Sequence, residues 1–258
     1  MMRSPKITVA PNGARLQQTD HAGLPVSASE LAVTARACRV VGADAIHLHV
    51  RDGQGRHSLD VDLYRVAISA VSEAAPDIEI QVTTESAGIY DVPAQLELLR
   101  ELKPGAASVA VREIARAPEL AAQVYATALL NGTRVQHILY GADCLDLLLG
   151  WLASDIVPTN LRDAILVLGQ YKPPCAGKPV DLLPLIVRAQ EAGLRMSVCA
   201  FGAQEQTCLL AAANLGCDLR VGFENNCISP DGAVWSNNAE AVSSLTKACA
   251  KLHERCKL

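Results

Sequence analysis

Two histidines, His47 and His49, stand two residues apart at the end of a short apolar run, and Arg51 and Asp52 follow them. Because side chains alternate along a strand, both imidazoles of such a pair point to the same face. Two imidazoles at this spacing can bind one divalent metal ion. The alternative is a pair of half-buried histidines satisfied by their neighbours. The pattern favours the metal site, because the pair ends a strand and charged residues follow it.

A third ligand is predicted in the segment 220–226, which reads R-V-G-F-E-N-N. Strand alternation places Arg220, Gly222 and Glu224 on one face, so a carboxylate joins a guanidinium near a strand end. Two histidines and one glutamate leave a coordination position open, which is typical of catalytic zinc. The residues alone leave a second interpretation equally open, in which Glu224 is a structural carboxylate paired with Arg220.

Further polar residues lie near the ends of other predicted strands. Their hydroxyl groups, carboxylates and guanidinium groups suit the binding of a small carboxylate substrate and the transfer of protons. Each of them alone could be a helix cap or a surface ion pair, and that interpretation is favoured for Arg112 and Glu113. The set comprises Asn12, Arg15, Thr83, Thr84, Glu85, Ser86, Arg112, Glu113, His137 and Tyr140.

The elements that must position these residues alternate along the chain. A short β-branched run, a polar turn and an Ala/Leu-rich amphipathic stretch recur eight times, which predicts a (β/α)₈ TIM barrel forming a single domain over residues 1–258. An open doubly wound sheet is the rival fold, but no G-x-G-x-x-G turn follows the first strand. The predicted strands are 6–10, 45–50, 79–84, 108–113, 134–140, 164–169, 195–201 and 219–224. The predicted helices are 28–42, 60–74, 93–102, 117–131, 142–153, 181–192, 205–215 and 238–256.

Composition limits the function classes. The 258 residues are 50% hydrophobic and carry a formal net charge of −4, which argues against nucleic acid and anionic membranes as partners. No signal-like apolar segment opens the chain and no stretch approaches the ~20 apolar residues of a membrane span, so a cytoplasmic protein is expected. The nine cysteines contain no C-x-x-C pair, so a cysteine-based zinc site is not supported.

Several blocks of the chain resemble the β-keto acid cleavage enzyme family, which includes enzymes of lysine fermentation. The resemblance covers nearly the whole chain and implies a zinc-bearing (β/α)₈ barrel that assembles as a homotetramer. It also implies a reaction in which a β-keto acid and acetyl-CoA give acetoacetate and a new acyl-CoA. The blocks are P-N-G-A-R at 11–15, D-H at 20–21, L-P-V at 24–26, G-A-D-A-I-H-L-H-V-R-D at 42–52, V-T-T at 82–84, V-L-G at 167–169, S-V-C-A-F-G at 197–202, L-G at 215–216, R-V-G-F-E-N-N at 220–226 and S-N-N-A at 236–239.

The resemblance assigns roles to individual residues. It implies that His47, His49 and Glu224 hold the metal, which is zinc or another divalent ion. It places the family's active-site arginine at Arg220. A hydroxyl that binds the substrate falls on Thr83 or Thr84.

Three positions depart from the family pattern. Asn225 occupies a catalytic position where the family has an aspartate, and an amide cannot act as a base. Arg15 stands where the family has a glutamate, and Ala110 where it has an asparagine. Glu85, at a position where many members have glycine, is the predicted replacement base that removes a proton from C2 of the keto acid. Arg15 adds a cation that would favour a more acidic or differently charged substrate tail.

Two other functions remain possible from the sequence. One is a metal-dependent aldolase or hydrolase, because H-x-H on a barrel strand also resembles metal-dependent hydrolases. Those enzymes usually add two histidines and an aspartate on later strands, and here His137 is the only other histidine on a predicted strand. The other is a barrel that binds its metal without turnover, an idea supported by Asn225.

Overall fold

Eight parallel strands close into a barrel in the computed structural model, which describes residues 3–170 and 173–255. Each strand pairs with its neighbour, and the last pairs with the first through Ile7 with Leu219 and Val9 with Val221. The predicted (β/α)₈ barrel is therefore confirmed. The strands are β1 Ile7–Val9, β2 Ala45–Leu48, β3 Glu79–Thr83, β4 Ala106–Ala110, β5 Arg134–Leu139, β6 Asp163–Gln170, β7 Arg195–Ala200 and β8 Asp218–Val221.

Helices cover the outside of the barrel, and several begin at a side chain that caps free backbone N–H groups. Ser27 and Glu30 form a capping box at the first helix, while Asp60 and Asp91 cap the next two. The helices are α1 Ala28–Val40, α2 Val61–Ala74, α3 Val92–Leu102, α4 Pro118–Leu130, α5 Ala142–Ala153, α6 Leu183–Glu191, α7 Glu205–Asn214 and α8 Asn238–Arg255. Within the described residues, no helix combines the length and the apolar character needed to cross a membrane.

The apolar core lies between the strands and the helices. A series of hydrogen-bonded polar side chains crosses the barrel interior. His47 Nδ1 lies 2.8 Å from Gln81 Oε1, and Gln81 Nε2 donates to Gln136 Oε1 at 3.3 Å. Gln136 in turn donates to the hydroxyl of Ser197 at 3.1 Å. These hydrogen bonds satisfy buried polar groups, and they hold the His47 ring in one orientation.

Several predicted strands end earlier than the sequence pattern indicated, and the early ends of the fourth and eighth strands change where site residues lie. The fourth strand stops at Ala110, and Arg112 and Glu113 lie on a one-turn helix, Val111–Ile114, instead of the strand 108–113. The physical reason is a backbone hydrogen bond from Ala115 N to Val111 O, which closes a helical turn directly after the strand.

The eighth strand stops at Val221, so Glu224 does not continue the strand as predicted. Gly222 has φ +141°, and a Cβ there would lie 2.4 Å from the carbonyl oxygen of Ala10. This glycine lets the chain turn at close range to β1, and the carbonyl of Gly222 accepts from the N–H groups of Asn225 and Asn226. Glu224 is therefore presented by a turn at the carboxyl end of the strand.

Smaller differences concern the loops. The second strand ends at Leu48, and Val50–Arg51 pairs with His57–Ser58 in a hairpin at the barrel mouth. The predicted helix 181–192 begins as a short 3₁₀ turn, Pro179–Asp181, before α6. Residues 171 and 172, which follow β6, lie outside the described residues, as does residue 256 of the last predicted helix.

Candidate active site

Three side chains at the carboxyl end of the barrel bring their ligand atoms together. The Nε2 atoms of His47 and His49 are 3.2 Å apart, and they lie 3.7 and 3.6 Å from Glu224 Oε2. All three residues are buried, and they form a candidate metal site. Three ligands at about 2.0–2.1 Å from one zinc ion, at tetrahedral angles, would be about 3.3–3.4 Å apart. The donor set and its spacing therefore fit a divalent ion.

Two properties prepare the histidines as ligands. Gln81 Oε1 accepts from His47 Nδ1, which leaves the lone pair of His47 Nε2 directed at the site. Burial lowers the pKa of His47 to about 4, although the charge of Glu224 opposes this effect. Burial lowers the pKa of His49 well below its usual value, and the charges of His47 and His57 lower it further. Both imidazoles are therefore neutral near pH 7, as metal ligation requires.

The contact with Gln81 leads to a prediction about metal affinity. We expect Gln81→Leu to weaken zinc binding by about 10–100-fold, because His47 loses the acceptor that orients its ring. Competition with a chelating dye measures this dissociation constant, and Gln190→Leu at the exposed end of α6 is the matched control. An unchanged zinc affinity in Gln81→Leu would show that this hydrogen bond does not orient the ligand.

Glu224 is positioned by the loop after β1. Gly13 has φ +61°, and a Cβ there would lie 2.6 Å from Glu224 Cγ, so the loop can pack against the carboxylate only with glycine at this position. Arg51 holds this loop by donating to the carbonyl oxygens of Gly13, Ala14 and Leu16. The arginine that follows the histidine pair thus fixes the opposite wall of the metal site.

A buried carboxylate, Glu205 at the start of α7, ties down the other side of the turn that carries Glu224. Its oxygens accept from Gly222 N at 3.4 Å and from Asn226 Nδ2 at 3.2 Å. Burial raises the pKa of Glu205 to about 8, although these two hydrogen bonds oppose the rise. The folded protein therefore carries a proton on Glu205 at neutral pH that the unfolded chain does not.

The raised pKa of Glu205 predicts how stability changes with pH. Between about pH 4.5 and pH 8 the folded state binds the extra proton, so this group lowers stability as the pH rises through that window. Glu205→Gln removes this effect. We therefore expect the free energy of unfolding of the variant, relative to that of wild type, to increase by about 1–2 kcal/mol as the pH rises from 6.5 to 8. Urea unfolding of the metal-free proteins at both pH values measures the difference. If the difference in unfolding free energy between variant and wild type is the same at pH 6.5 and pH 8, Glu205 is ionised in the folded protein.

The metal site opens into a cavity of about 210 Å³ at the carboxyl end of the barrel. Arg220 lies at its buried end, 3% exposed, and Nη2 donates to Glu224 Oε1 and to Cys199 Sγ. The Nε and Nη1 atoms of Arg220 have no hydrogen-bond partner within the part of the chain that the structure describes. Unsatisfied buried guanidinium N–H groups beside a metal site are suited to bind a carboxylate. The cavity is lined by Arg15, His47, Thr83, Glu85, Arg112, Ile138, Tyr140, Val167, Gln170, Phe201, Arg220 and Glu224.

Glu85 lies at the edge of the cavity beside the metal site. Its Oε2 is 4.0 Å from His49 Nδ1, and its Oε1 accepts from Arg15 Nη2 at 3.3 Å. Burial together with the charges of Glu224 and Glu113 raises the pKa of Glu85 to about 7, although Arg15 and Arg220 oppose the rise. A carboxylate with this pKa can accept and return a proton near neutral pH.

The loop that carries Glu85 is held by groups on two neighbouring elements. Glu113 accepts from Ser86 N at 2.9 Å, from the Ser86 hydroxyl at 3.0 Å and from Gln95 Nε2 at 2.7 Å. His57 Nε2 lies 2.8 Å from the Glu85 carbonyl oxygen, and the His57 ring packs 5.2 Å from that of His49. These contacts fix the backbone of the predicted base relative to the metal site.

The β-keto acid cleavage enzyme family matches residues 6–256, nearly the whole chain. The chain belongs to this family. Among curated relatives, a 3-keto-5-aminohexanoate cleavage enzyme of Fusobacterium nucleatum subsp. nucleatum is 26% identical over 259 residues, 98% of this chain and 93% of the relative. Another enzyme of that name, from Acetoanaerobium sticklandii, is 24% identical over 248 residues, 93% and 90% of the two chains. The chain is thus an enzyme of the β-keto acid cleavage family on a TIM barrel.

Solved structures share the fold at lower identity. The binary complex of ObcA with oxaloacetate has a TM-score of 0.67 and 16% identity over 88% of this chain, which spans 63% of the length of ObcA. The ternary complex of ObcA with a C4-CoA adduct and oxalate has a TM-score of 0.68 and 15% identity, over 90% of this chain and 64% of that chain. A 3-dehydroquinate dehydratase from Geobacillus kaustophilus HTA426 has a TM-score of 0.62 and 13% identity, over 97% and 91% of the two chains. At these identities the likeness shows the fold.

The other predicted site residues differ in whether they line the cavity. Thr83 lines the cavity and its hydroxyl accepts from Glu85 N, whereas the hydroxyl of Thr84 donates to the Ser108 carbonyl. Arg112 lines the cavity with its guanidinium 3.3 Å from the ring centroid of Tyr140. Of the two threonines, only Thr83 is thus placed to meet a substrate in this cavity.

Three predicted residues lie away from the cavity of this family member. Asn12 is buried, and its amide nitrogen donates to the carbonyls of Pro25 and His49, so it braces the histidine segment. Asn225 is 6% exposed, and neither amide atom has a hydrogen-bond partner among residues 3–170 and 173–255. His137 faces outward, packs against Tyr125 of α4, and lies 3.1 Å from the Leu161 carbonyl.

Three residues that position this site, Gln81, His57 and Glu205, were not identified from the sequence. Gln81 lies two residues before Thr83 on β3, so strand alternation could have placed it beside His47. His57 lies on the hairpin strand His57–Ser58, and no sequence pattern connects it to the His49 ring. It was missed because its proximity depends on how the hairpin folds over the barrel mouth.

Proposed function

We propose that this chain is a zinc-dependent enzyme that converts a β-keto acid and acetyl-CoA into acetoacetate and a new acyl-CoA. The observation that carries the proposal is that the cluster of His47, His49 and Glu224 adjoins the cavity lined by Arg220, which has unsatisfied N–H groups. A metal site beside a carboxylate-binding arginine suits a substrate whose keto group and carboxylate are two bonds apart. Membership of the family and the full-length similarity to two cleavage enzymes support the same reaction class.

The proposed metal site is built from this chain alone. His47, His49 and Glu224 would hold a zinc ion, whose chemistry there is to withdraw electron density from the keto and carboxylate oxygens of the substrate. Arg220 would bind the carboxylate or the oxygen on which charge develops, since charge-assisted hydrogen bonds are strongest where water is excluded. Tyr140 and Ile138 line the same cavity.

Proton removal is assigned to Glu85. Its carboxylate lines the cavity and lies 4.0 Å from His49, so it borders the place where C2 of a bound keto acid would lie. Thr83 and Glu113 hold the backbone around Glu85, and Arg15 holds one carboxylate oxygen. After the proton leaves C2, that carbon attacks the thioester carbonyl of acetyl-CoA and the CoA thiolate leaves. The thiolate then attacks the C3 carbonyl of the keto acid, and the bond between C2 and C3 breaks in a retro-Claisen step. The new acyl-CoA is released, and Glu85 returns the proton to C2 of the acetoacetate.

The hydrolase alternative loses support from the position of His137. Metal-dependent hydrolases that begin with H-x-H add histidine ligands from later strands, but the ring of His137 packs outward against Tyr125. The residue therefore lies on the opposite face of the strand from the cavity. Asn225 leaves the non-catalytic alternative to experiment, because an amide in place of a base can cost turnover without costing the fold.

Turnover with defined metals tests the proposal. Metal-free protein is reloaded with zinc and mixed with acetyl-CoA and a panel of β-keto acids, and acetoacetate and new acyl-CoA are followed by mass spectrometry. We expect both products with zinc and neither after treatment with a chelator. A zinc-loaded protein that turns over no acid in a broad panel would instead support a metal-binding barrel without activity.

The proposal also includes a single domain over residues 1–258 and a homotetrameric assembly, both supported by the similarity of the sequence to the family. Sedimentation velocity of the purified protein tests the assembly. A mass near 109 kDa, four times the 27.3 kDa of one chain, is expected, and a single-chain mass would contradict it.

A further inference from the structure

The cavity beside the metal site is rich in positive charge. Three guanidinium groups, those of Arg15, Arg112 and Arg220, face two carboxylates, those of Glu85 and Glu224, among the described residues that line it. The lining therefore carries a net charge of about +1 with both carboxylates ionised, and about +3 with a divalent ion in place. Protonation of either carboxylate only increases this charge. Such a cavity favours a ligand with more than one negative charge.

The three arginines differ in what they already contact. Arg220 contacts Glu224 at 3.2 Å, and Arg15 contacts Glu85 at 3.3 Å, so each has a carboxylate beside it. Arg112 makes no ion pair with the residues that the structure describes. Among those residues no carboxylate lies within 4.0 Å of its guanidinium, so a ligand can supply the ion-pair partner.

Arg112 is nevertheless held in place. The guanidinium lies over the Tyr140 ring, 3.3 Å from its centroid, and Tyr140 itself lines the cavity. Stacking on an aromatic ring leaves the edge of the guanidinium free to donate two parallel hydrogen bonds. Because the side chain is already ordered, little further entropy is lost when a ligand binds.

We propose that Arg112 binds a second carboxylate at the far end of the keto acid, so that the substrate is a β-keto dicarboxylate. The inference rests on the proposed function, because it takes the first carboxylate to lie at the metal and Arg220. A substrate tail with an ammonium group would approach Arg112 and Arg15 and meet like charge. An uncharged tail would leave the exposed Arg112 guanidinium to water and would gain no ion pair from it.

Three keto acids of six carbons test the substrate class. They are 3-ketohexanoate, 3-ketohexanedioate and 3-keto-5-aminohexanoate, whose tails are neutral, negative and positive at neutral pH. With zinc-loaded protein and saturating acetyl-CoA, we expect kcat/KM for the dicarboxylate to exceed that of the neutral acid by about 10–100-fold. The cationic acid is expected to be the poorest of the three.

The variant Arg112→Gln tests the residue. We expect it to lower kcat/KM for 3-ketohexanedioate by about 10–100-fold, through a higher KM. We expect kcat/KM for 3-ketohexanoate to change by less than about threefold, and the KM of acetyl-CoA to stay nearly the same. Arg36→Gln, at an exposed position on α1, is the matched control for the loss of one surface charge. Calorimetric binding of unreactive 3-hydroxyhexanedioate and 3-hydroxyhexanoate, with and without zinc, gives a readout that does not depend on turnover.

Three results would overturn the inference. One is an active enzyme that prefers 3-ketohexanoate or the cationic acid. Another is an Arg112→Gln variant whose defect lies in the KM of acetyl-CoA, which would assign Arg112 to the co-substrate. The third is equal calorimetric affinity for the two hydroxy acids. If no keto acid turns over, the proposed function fails, and the calorimetric comparison still decides whether Arg112 binds a second carboxylate.

Discussion

Replacing either His47 or His49 with alanine is expected to abolish zinc binding and, with it, the cleavage of any β-keto acid. Each histidine supplies one of three ligand atoms that lie 3.2–3.7 Å apart, and two ligands cannot hold the ion as three do. The loss of affinity should exceed the 10–100-fold that outer-shell changes cause. Elemental analysis of dialysed protein measures the bound zinc, and product formation measures the activity.

His137→Ala is a matched control for these substitutions, because it also removes a buried histidine from a barrel strand. Its ring contacts Tyr125 on the outside of the barrel, so we expect full zinc content and a lower thermal stability. Zinc retention at one equivalent in both His47→Ala and His49→Ala would show that the metal lies elsewhere. Loss of zinc in His137→Ala alone would point to the same conclusion.

Glu85→Gln is expected to lower kcat by about 10²–10⁴-fold, because the amide cannot accept the C2 proton. The substitution keeps the size of the side chain, and zinc content should stay at one equivalent. Exchange of the C2 protons of the keto acid into D₂O, followed by NMR, measures the proton transfer apart from the later steps. The enzyme-catalysed exchange should fall by the same factor as kcat.

The control for Glu85→Gln is Glu97→Gln on α3, which removes an exposed carboxylate paired with Arg100. It should leave exchange and turnover at the wild-type level, since surface ion pairs of this kind contribute about 0–1 kcal/mol to stability. Full turnover in Glu85→Gln would assign the proton transfer to another group. Loss of zinc in the same variant would instead show that Glu85 acts through His49.

The barrel was predictable from sequence because its signals are repeated and local. Eight β-branched runs alternate with amphipathic stretches, and parallel strands covered by helices on their outer side follow from that order. The carboxyl ends of such strands meet at one face, so His47 on β2, His49 directly after β2 and Glu224 after β8 could be expected to lie close together. Strand alternation also placed the two histidines on one side.

The ends of the strands could not be predicted, and they determine the details of the site. Arg112 was expected on a strand, but a helical turn begins at Val111 and carries its side chain to the ring of Tyr140. Glu224 was expected on β8, but the turn at Gly222 presents it instead. Both outcomes depend on backbone hydrogen bonds and close contacts between distant segments, which periodicity does not encode.

Contacts between distant segments explain the other omissions. The hydrogen bond between Gln81 and His47 joins two neighbouring strands, and the contact of His57 with the Glu85 carbonyl joins two loops. Glu113 was expected as a cap or a surface ion pair, yet it accepts three hydrogen bonds from the loop and helix that follow β3. Strand alternation could have placed Gln81 near His47, but local sequence contains no signal for the contacts of His57 and Glu113.

The transfer of an isotope label tests the central claim most directly. Zinc-loaded protein is mixed with an unlabelled β-keto acid and acetyl-CoA that carries ¹³C at both acetyl carbons, and the products are analysed by mass spectrometry. The proposed reaction predicts acetoacetate that carries both labelled carbons and a new acyl-CoA that carries none, in equal amounts, with neither formed by His47→Ala. Free carboxylic acids from both halves of the keto acid, with the acetyl label still on CoA, would show that water is the acceptor and would contradict the claim.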